Sequence, residues 1–330
     1  KGSTSSAPCC RCLARRRGGL DGSMLLLLVS DFLQGACLRR TLCVASRGWR
    51  EALLARRGGD VRVDVEARRK AAFAQAEELL ASKGRLALHT AAERGLVGAL
   101  WALRELGCSS SELDGDGRTA AHDAAWHGQV GALRALHELG CPLATRDRGG
   151  STALHNAAAG GQPEVLRLLV GLGCAPSDAD NDGRTALHDA AWHGHVAVLR
   201  VLGDLGCPAV ARDQSGKTAA HVAALAGHPG ALHELARLGC SLAEQDCAGQ
   251  TAAHCAASRG HAGALVALGA LGCPLGVEDS RGRSAMQVAK AVGKARALQV
   301  LRDMEQRQGR GSGCSTSGGR RGNRAREGAG

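Results

Sequence analysis

The sequence predicts an all-α solenoid of about seven stacked 33-residue units with a small helical segment ahead of it. Three observations predict it. Cysteines recur at 108, 141, 174, 207, 240 and 273, an unbroken step of 33 residues. An aspartate recurs on the same step at 114, 147, 180, 213, 246 and 279, each followed three residues later by glycine. The composition is 44% hydrophobic but only 2% aromatic, with no tyrosine. A core must then be built from Leu, Ala and Val, which suits close-packed helices better than a sandwich or barrel. A fixed period of this length marks a repeat architecture.

The chain reads in five parts. Residues 1–22 are basic and are expected to be disordered. Residues 23–57 hold the only apolar run near the start, MLLLLVSDFL from Met24; it is about half a bilayer span and Asp31 interrupts it. Residues 58–83 read as a linker whose DVEARRKAAFAQAEELLASK forms one Ala-rich helix. The repeats occupy 84–305. Residues 306–330, rich in Gly, Ser and Arg, lack the apolar residues to fold. No membrane span and no secretory leader are read from the sequence. The expectation is a soluble protein of the cytoplasm, with the nucleus as the alternative.

Charge divides along the same lines. Residues 1–83 carry 16 basic and 8 acidic residues, 84–305 carry 20 and 22, and 306–330 carry 6 and 1. The net +11 therefore sits at the two ends. A basic groove for nucleic acid across the repeats is not expected. The ends read as solvated tails, with weak binding of RNA or an anionic surface as the alternative.

Within one unit each segment has a local reason. Asp114-Gly-Asp-Gly117 is turn chemistry. Thr119 can cap a short helix that ends before Gly128, a residue repeated at 161, 194, 227 and 260. A second helix then carries Leu133, Leu136 and Leu139 on one face. The string Leu-x-x-Leu-x-x-Leu-Gly-Cys returns at 100–108, 166–174, 199–207, 232–240 and 265–273. Neither helix can bury that face alone, so neighbours must stack. Residues 85–113 form an irregular first unit. The last, from Asp279, has Ser284 and Gln287 in place of Thr and His and is more polar, as capping units are.

The run after each turn reads TAAHDA, TALHNA, TALHDA, TAAHVA and TAAHCA. It resembles the T-P-L-H-x-A motif of the ankyrin-repeat family, with Ala in place of Pro. The resemblance covers about residues 84–305. It implies a turn and two helices per unit, a His that hydrogen-bonds locally with the Thr, and a concave face made of first-helix positions and hairpin tips that contacts partners. By position that face comprises Asp123, Trp126, His127, Asp189, Trp192, His193, Leu225 and Arg259. A large aromatic beside charges suits a binding hot spot; packing of each Trp against the next unit is the other reading. The Trp pair lies 66 residues apart, as do Pro163 and Pro229, so the units alternate in type.

Thiols and imidazoles on this scale invite a metal or a nucleophile. Four ligands must lie about 2.0–2.3 Å from a zinc ion, whereas equivalent residues of stacked helices stand roughly 10 Å apart. The cysteines are expected to be small buried residues. His254 and Cys255 are neighbours on a helix and point about 100° apart. No cofactor, metal site or catalytic residue is therefore assigned, and the chain is read as a non-enzymatic protein-binding scaffold for an unidentified protein target.

One further motif concerns residues 25–54. Their close, VASRGWREAL, resembles the end of an F-box, a three-helix segment that docks on the adaptor subunit of cullin-type ubiquitin ligases. That resemblance implies docking by Leu26, Leu27, Phe32, Leu33, Leu38, Val44 and Trp49, and a role as substrate receptor. The same residues also fit a plain helical cap.

Overall fold

The structure is a computed structural model and describes residues 61–311. The F-box-like segment, with Leu26, Leu27, Phe32, Leu33, Leu38, Val44 and Trp49, lies outside the described residues, as do residues 1–22 and 312–330. The chain divides into two units, Lys1–Glu66 and Ala67–Gly330, and the second holds the repeats.

Helix α1 (Val61–Lys83) is Ala-rich and buries Ala76 and Leu79. After a single 3₁₀ turn, Gly84–Leu86, seven helix pairs follow. They are α2 (Ala87–Glu93) with α3 (Val97–Glu105), α4 (Ala120–Trp126) with α5 (Val130–Glu138), and α6 (Ala153–Ala159) with α7 (Pro163–Gly171). Then come α8 (Ala186–His193) with α9 (Val196–Asp204), α10 (Ala219–Ala226) with α11 (Pro229–Arg237), α12 (Ala252–Arg259) with α13 (Ala262–Ala270), and α14 (Ala285–Ala291) with α15 (Ala295–Gly311). Among the described residues the only β pairings are isolated bridges, Ala179 with Thr185 and Glu278 with Ser284, at the bases of two hairpin turns.

The first helices stack in one row and the second helices in another. The first row is Ala-rich, so its helices approach closely; in α4, Ala120, Ala121, Ala124 and Ala125 are all buried. The second row supplies the bulk. Leu133 and Leu136, like Leu166 and Leu169, are 0% exposed. The third leucine of the triplet caps its helix: Leu139 is the C-cap of α5 and still packs into the same core. A helix of seven to nine residues is marginal alone; here its stability comes from this shared apolar layer.

Each first helix ends on a glycine that must turn left-handed, and Gly128 does so with φ 75°. A side chain there would meet that strain, which explains the recurrence of glycine at this step. The hairpins also stack. Each tip accepts one backbone bond from the next unit, as when Arg148 N–H donates to the Asp116 carbonyl at 2.9 Å and Asn181 N–H to that of Gly149 at 2.9 Å. The aspartate at the start of each turn holds it closed: Asp180 Oδ1 accepts the backbone N–H groups of Asp182 and Arg184, at 2.9 and 2.8 Å.

Candidate functional site

The recurring histidines bind the units together. Thr119 and His122 close a reciprocal capping box at the start of α4. Thr119 N–H donates to His122 Nδ1 at 3.1 Å, and the Thr hydroxyl lies 3.0 Å from the same nitrogen. Because Nδ1 accepts, the ring proton sits on Nε2, which donates to the Ser151 carbonyl of the next unit at 3.3 Å. The arrangement repeats with His155 to Arg184, His188 to Lys217, His221 to Gln250 and His254 to Arg283. Burial lowers the pKa of His122, His155, His188 and His221, so these rings are neutral.

The cysteine ladder is equally committed. Cys207 Sγ donates to the Pro176 carbonyl of the preceding unit at 3.2 Å, and Cys273 Sγ to that of Leu242 at 3.2 Å. Burial pushes both thiols up to about 11. The adjacent His254 and Cys255 form no dyad. Both ring nitrogens of His254 are spent, on Thr251 and Arg283, and burial pushes the Cys255 thiol up to about 12. A thiol so far above neutrality is not a nucleophile at physiological pH.

A second polar ladder was missed in the sequence. The residue before each of the five internal second helices reaches back to the open end of a first helix in the preceding unit. Gln129 donates to the Glu93 carbonyl at 3.1 Å, His195 to Ala159 at 3.0 Å, His228 to Trp192 at 3.0 Å and His261 to Leu225 at 3.1 Å. The last carbonyls of a helix lack internal partners, and this satisfies them. The series Gln129, Gln162, His195, His228, His261 steps by 33 and was the available signal.

The residues assigned by position to the partner-contacting face divide into two groups. In the first, Asp123 Oδ2 accepts from His89 Nδ1 at 2.7 Å. His89 lacks a capping threonine, since Leu86 stands three residues before it, and its Nδ1 is therefore free to donate. Burial opposes charge on this ring, but Asp123 and the Glu112 carbonyl outweigh it and its pKa is raised. His127 is exposed, and its Nδ1 lies 3.0 Å from the Asp123 carbonyl. Trp126 is 43% exposed. Its ring meets His193, two units away, edge-on at 6.3 Å. The intervening unit offers only Ala159 and Gly160 at the corresponding positions, so no large side chain stands between them. His193 in turn stacks on His195 at 5.8 Å.

The second group lines a cleft of about 430 Å³ between consecutive units. Asp189, Trp192 and His193 come from α8, Leu225 and Val222 from α10, and Arg184, Asp213 and Lys217 from the hairpins. Trp192 is 46% exposed. Burial pushes the Asp189 carboxyl up to about 7, the nearby Arg184 opposing and Asp180 adding to the rise. Arg184 is held by Asp180 and Asp182 at 2.9 and 3.1 Å. Arg259, at the end of α12, is exposed and is not among the residues lining the cleft. Asp213 and Lys217 were not anticipated as lining residues. Their period was legible, but which hairpin faces which helix depends on how the units stack.

Among the described residues, no group of three or more His, Cys, Asp or Glu side chains is placed to hold a metal ion, and no helix is long and apolar enough to cross a membrane.

Comparisons with known proteins agree with this architecture. Residues 139–213 match the family model described as ankyrin repeats in three copies. No curated protein matches the chain. Among solved structures, the ankyrin repeat domain of human ASB11 superposes with a TM-score of 0.58 at 24% identity, covering 66% of this chain and 96% of that one. At that identity the likeness bears on the fold alone. With its capping boxes, seven helix pairs and stacked hairpins, the repeat region of this chain has the fold of an ankyrin-repeat solenoid.

Proposed function

We propose that the chain is a non-enzymatic scaffold that binds a protein partner along the face formed by its first helices and hairpins. The observation that carries this reading is the pair Trp126 and Trp192. Each sits at the end of a buried, Ala-rich helix, yet each leaves nearly half its surface in water, at 43% and 46%. An indole packed for stability alone would be buried, because removing its apolar area from water is favourable. Large aromatics beside charged groups form the anchors of protein interfaces. The ladder histidines and thiols are consumed by structural bonds, which leaves the surface as the working part of the domain.

The test is affinity purification with the full chain, wild type against the Trp126→Ala, Trp192→Ala double variant. The double variant should keep its helical circular dichroism and melting temperature and lose its specific partners. Retention of every partner, or a collapse in melting temperature, would assign the indoles to packing.

A second reading is favoured by one sequence feature, VASRGWREAL at 44–53. In it the N-terminal segment docks the adaptor of a cullin-type ubiquitin ligase while the repeats hold the target. The full chain would then co-purify with that adaptor, and Trp49→Ala would abolish this without affecting targets held by the repeats. A cytoplasmic or nuclear location fits the eight free cysteines among the described residues, since reducing compartments keep thiols unpaired.

A further inference from the structure

The motif His-Asp-Ala-Ala-Trp-His-Gly occurs twice, at 122–128 and 188–194. Its two aspartates have different fates. Asp123 accepts a hydrogen bond from the His89 ring at 2.7 Å. At Asp189 the corresponding ring is His155, whose Nδ1 is committed to Thr152 and whose Nε2 donates to Arg184. The unit between them avoids the problem with a neutral residue: Asn156 donates its amide to the His122 carbonyl at 3.5 Å. A carboxylate cannot make that donation. Asp189 consequently has no side-chain hydrogen bond or ion pair among the described residues. Among the described residues no polar side-chain atom is both buried and unpartnered, so its oxygens open onto the cleft.

The rest of the cleft suits one kind of visitor. Its two resident cations form their ion pairs with other carboxylates, Arg184 with Asp180 and Asp182, and Lys217 at 3.9 Å from Asp246; Arg184 acts on Asp189 only through space. Asp213 uses Oδ1 for the backbone N–H groups of Ser215 and Lys217, both at 2.8 Å, and has no partner on Oδ2. One wall is the half-exposed face of Trp192 and another the aliphatic Leu225. A planar guanidinium can donate in parallel to a carboxylate while stacking on an indole, and it tolerates partial burial better than an ammonium.

Resting on the scaffold reading above, we propose that this cleft is a socket for a single arginine side chain of the bound protein, with its guanidinium on Asp189 and against Trp192. Asp213 supplies the second acceptor. The partner's cation does for Asp189 what His89 does for Asp123. Burial raises the Asp189 carboxyl to about 7, and a bound arginine would favour its ionised form.

The test is selection of a random peptide library on the full chain, followed by affinity measurements on the selected peptides. Arginine should be enriched at one position. Asp189→Asn, or Arg→Gln in the peptide, should each weaken binding at least about tenfold, and Arg→Lys should weaken it less. Trp192→Phe should weaken it severalfold while leaving the melting temperature in place. Selected peptides that lose binding with Trp126→Ala or Trp192→Ala, yet contain no arginine and are indifferent to Asp189→Asn, would overturn the socket and leave the scaffold standing. Selected peptides indifferent to all three changes would overturn both.

Discussion

Replacing Asp189 by asparagine should stabilise the protein, and by an amount that depends on pH. In the unfolded chain the carboxyl titrates near 3.8, whereas in the fold burial raises it to about 7. Between those values the folded state holds a proton that the unfolded state has lost. Stability therefore falls as pH rises through that window, and the loss is complete above the folded value. Each pKa step corresponds to about 1.36 kcal/mol, so the full gap amounts to about 4 kcal/mol. Asparagine is neutral throughout and can donate to the His155 carbonyl as Asn156 donates to that of His122. Its advantage over aspartate should be small at pH 4 and about 4 kcal/mol at pH 8.5. Contact of the carboxylate with water trims the upper figure. The assay is urea unfolding of both proteins at several pH values, followed by circular dichroism. All other titrating groups are common to the two and cancel in the difference. A difference that stays flat with pH would show that Asp189 titrates as an ordinary exposed carboxyl and would refute the reasoning, as would a less stable variant at pH 8.5.

Other changes test the remaining parts of the fold. Leu166→Ala removes a fully buried side chain from the second-helix layer and should cost about 2–5 kcal/mol in the same urea assay. Cys174→Ser, at a buried position filled by a small side chain, should cost less than that. His188→Ala breaks both the capping box and the bond to Lys217 and should cost about 1–3 kcal/mol; His188→Gln should recover part of it, because Gln287 accepts from Ser284 N–H in the last unit at 2.9 Å. The lowered pKa values of His122, His155, His188 and His221 have the opposite sign to that of Asp189. Their contribution is present above about 6.5 and is lost as pH falls through the folded values. In the Asp189→Asn background the four rings should lower the melting temperature on acidification from pH 7 to pH 5, with His89, whose pKa is raised, opposing them; the same four-ring loss should be steeper in an Asp189→Asn, His89→Gln variant, and a flat profile there would refute it.

Much of the architecture is local and could be read from single units. The turn aspartate, the threonine cap and its histidine three residues on, the left-handed glycine and the leucine string each satisfy groups within a few residues of themselves. Their recurrence at 33 residues then leaves stacking as the only way to bury the leucines. Other features required neighbours. The reach of Gln129, His195, His228 and His261 to carbonyls of the preceding unit spans 36 residues, and only the stacking of the units brings them together. The contact of Trp126 with His193 depends on Ala159 and Gly160 between them, which no inspection of either motif alone suggests.

The two copies of His-Asp-Ala-Ala-Trp-His-Gly mark the boundary most clearly. The sequence by itself determined that both would form the same short helix, capped and spaced alike, because the forces that shape a helix act within one turn of it. It could not determine that Asp123 would be paired and Asp189 left facing an open cleft. That outcome turns on Leu86 and Thr152 in the preceding units, which decide whether an imidazole nitrogen is free or engaged. Charge pairing acts through space, so only the stacked structure settled it.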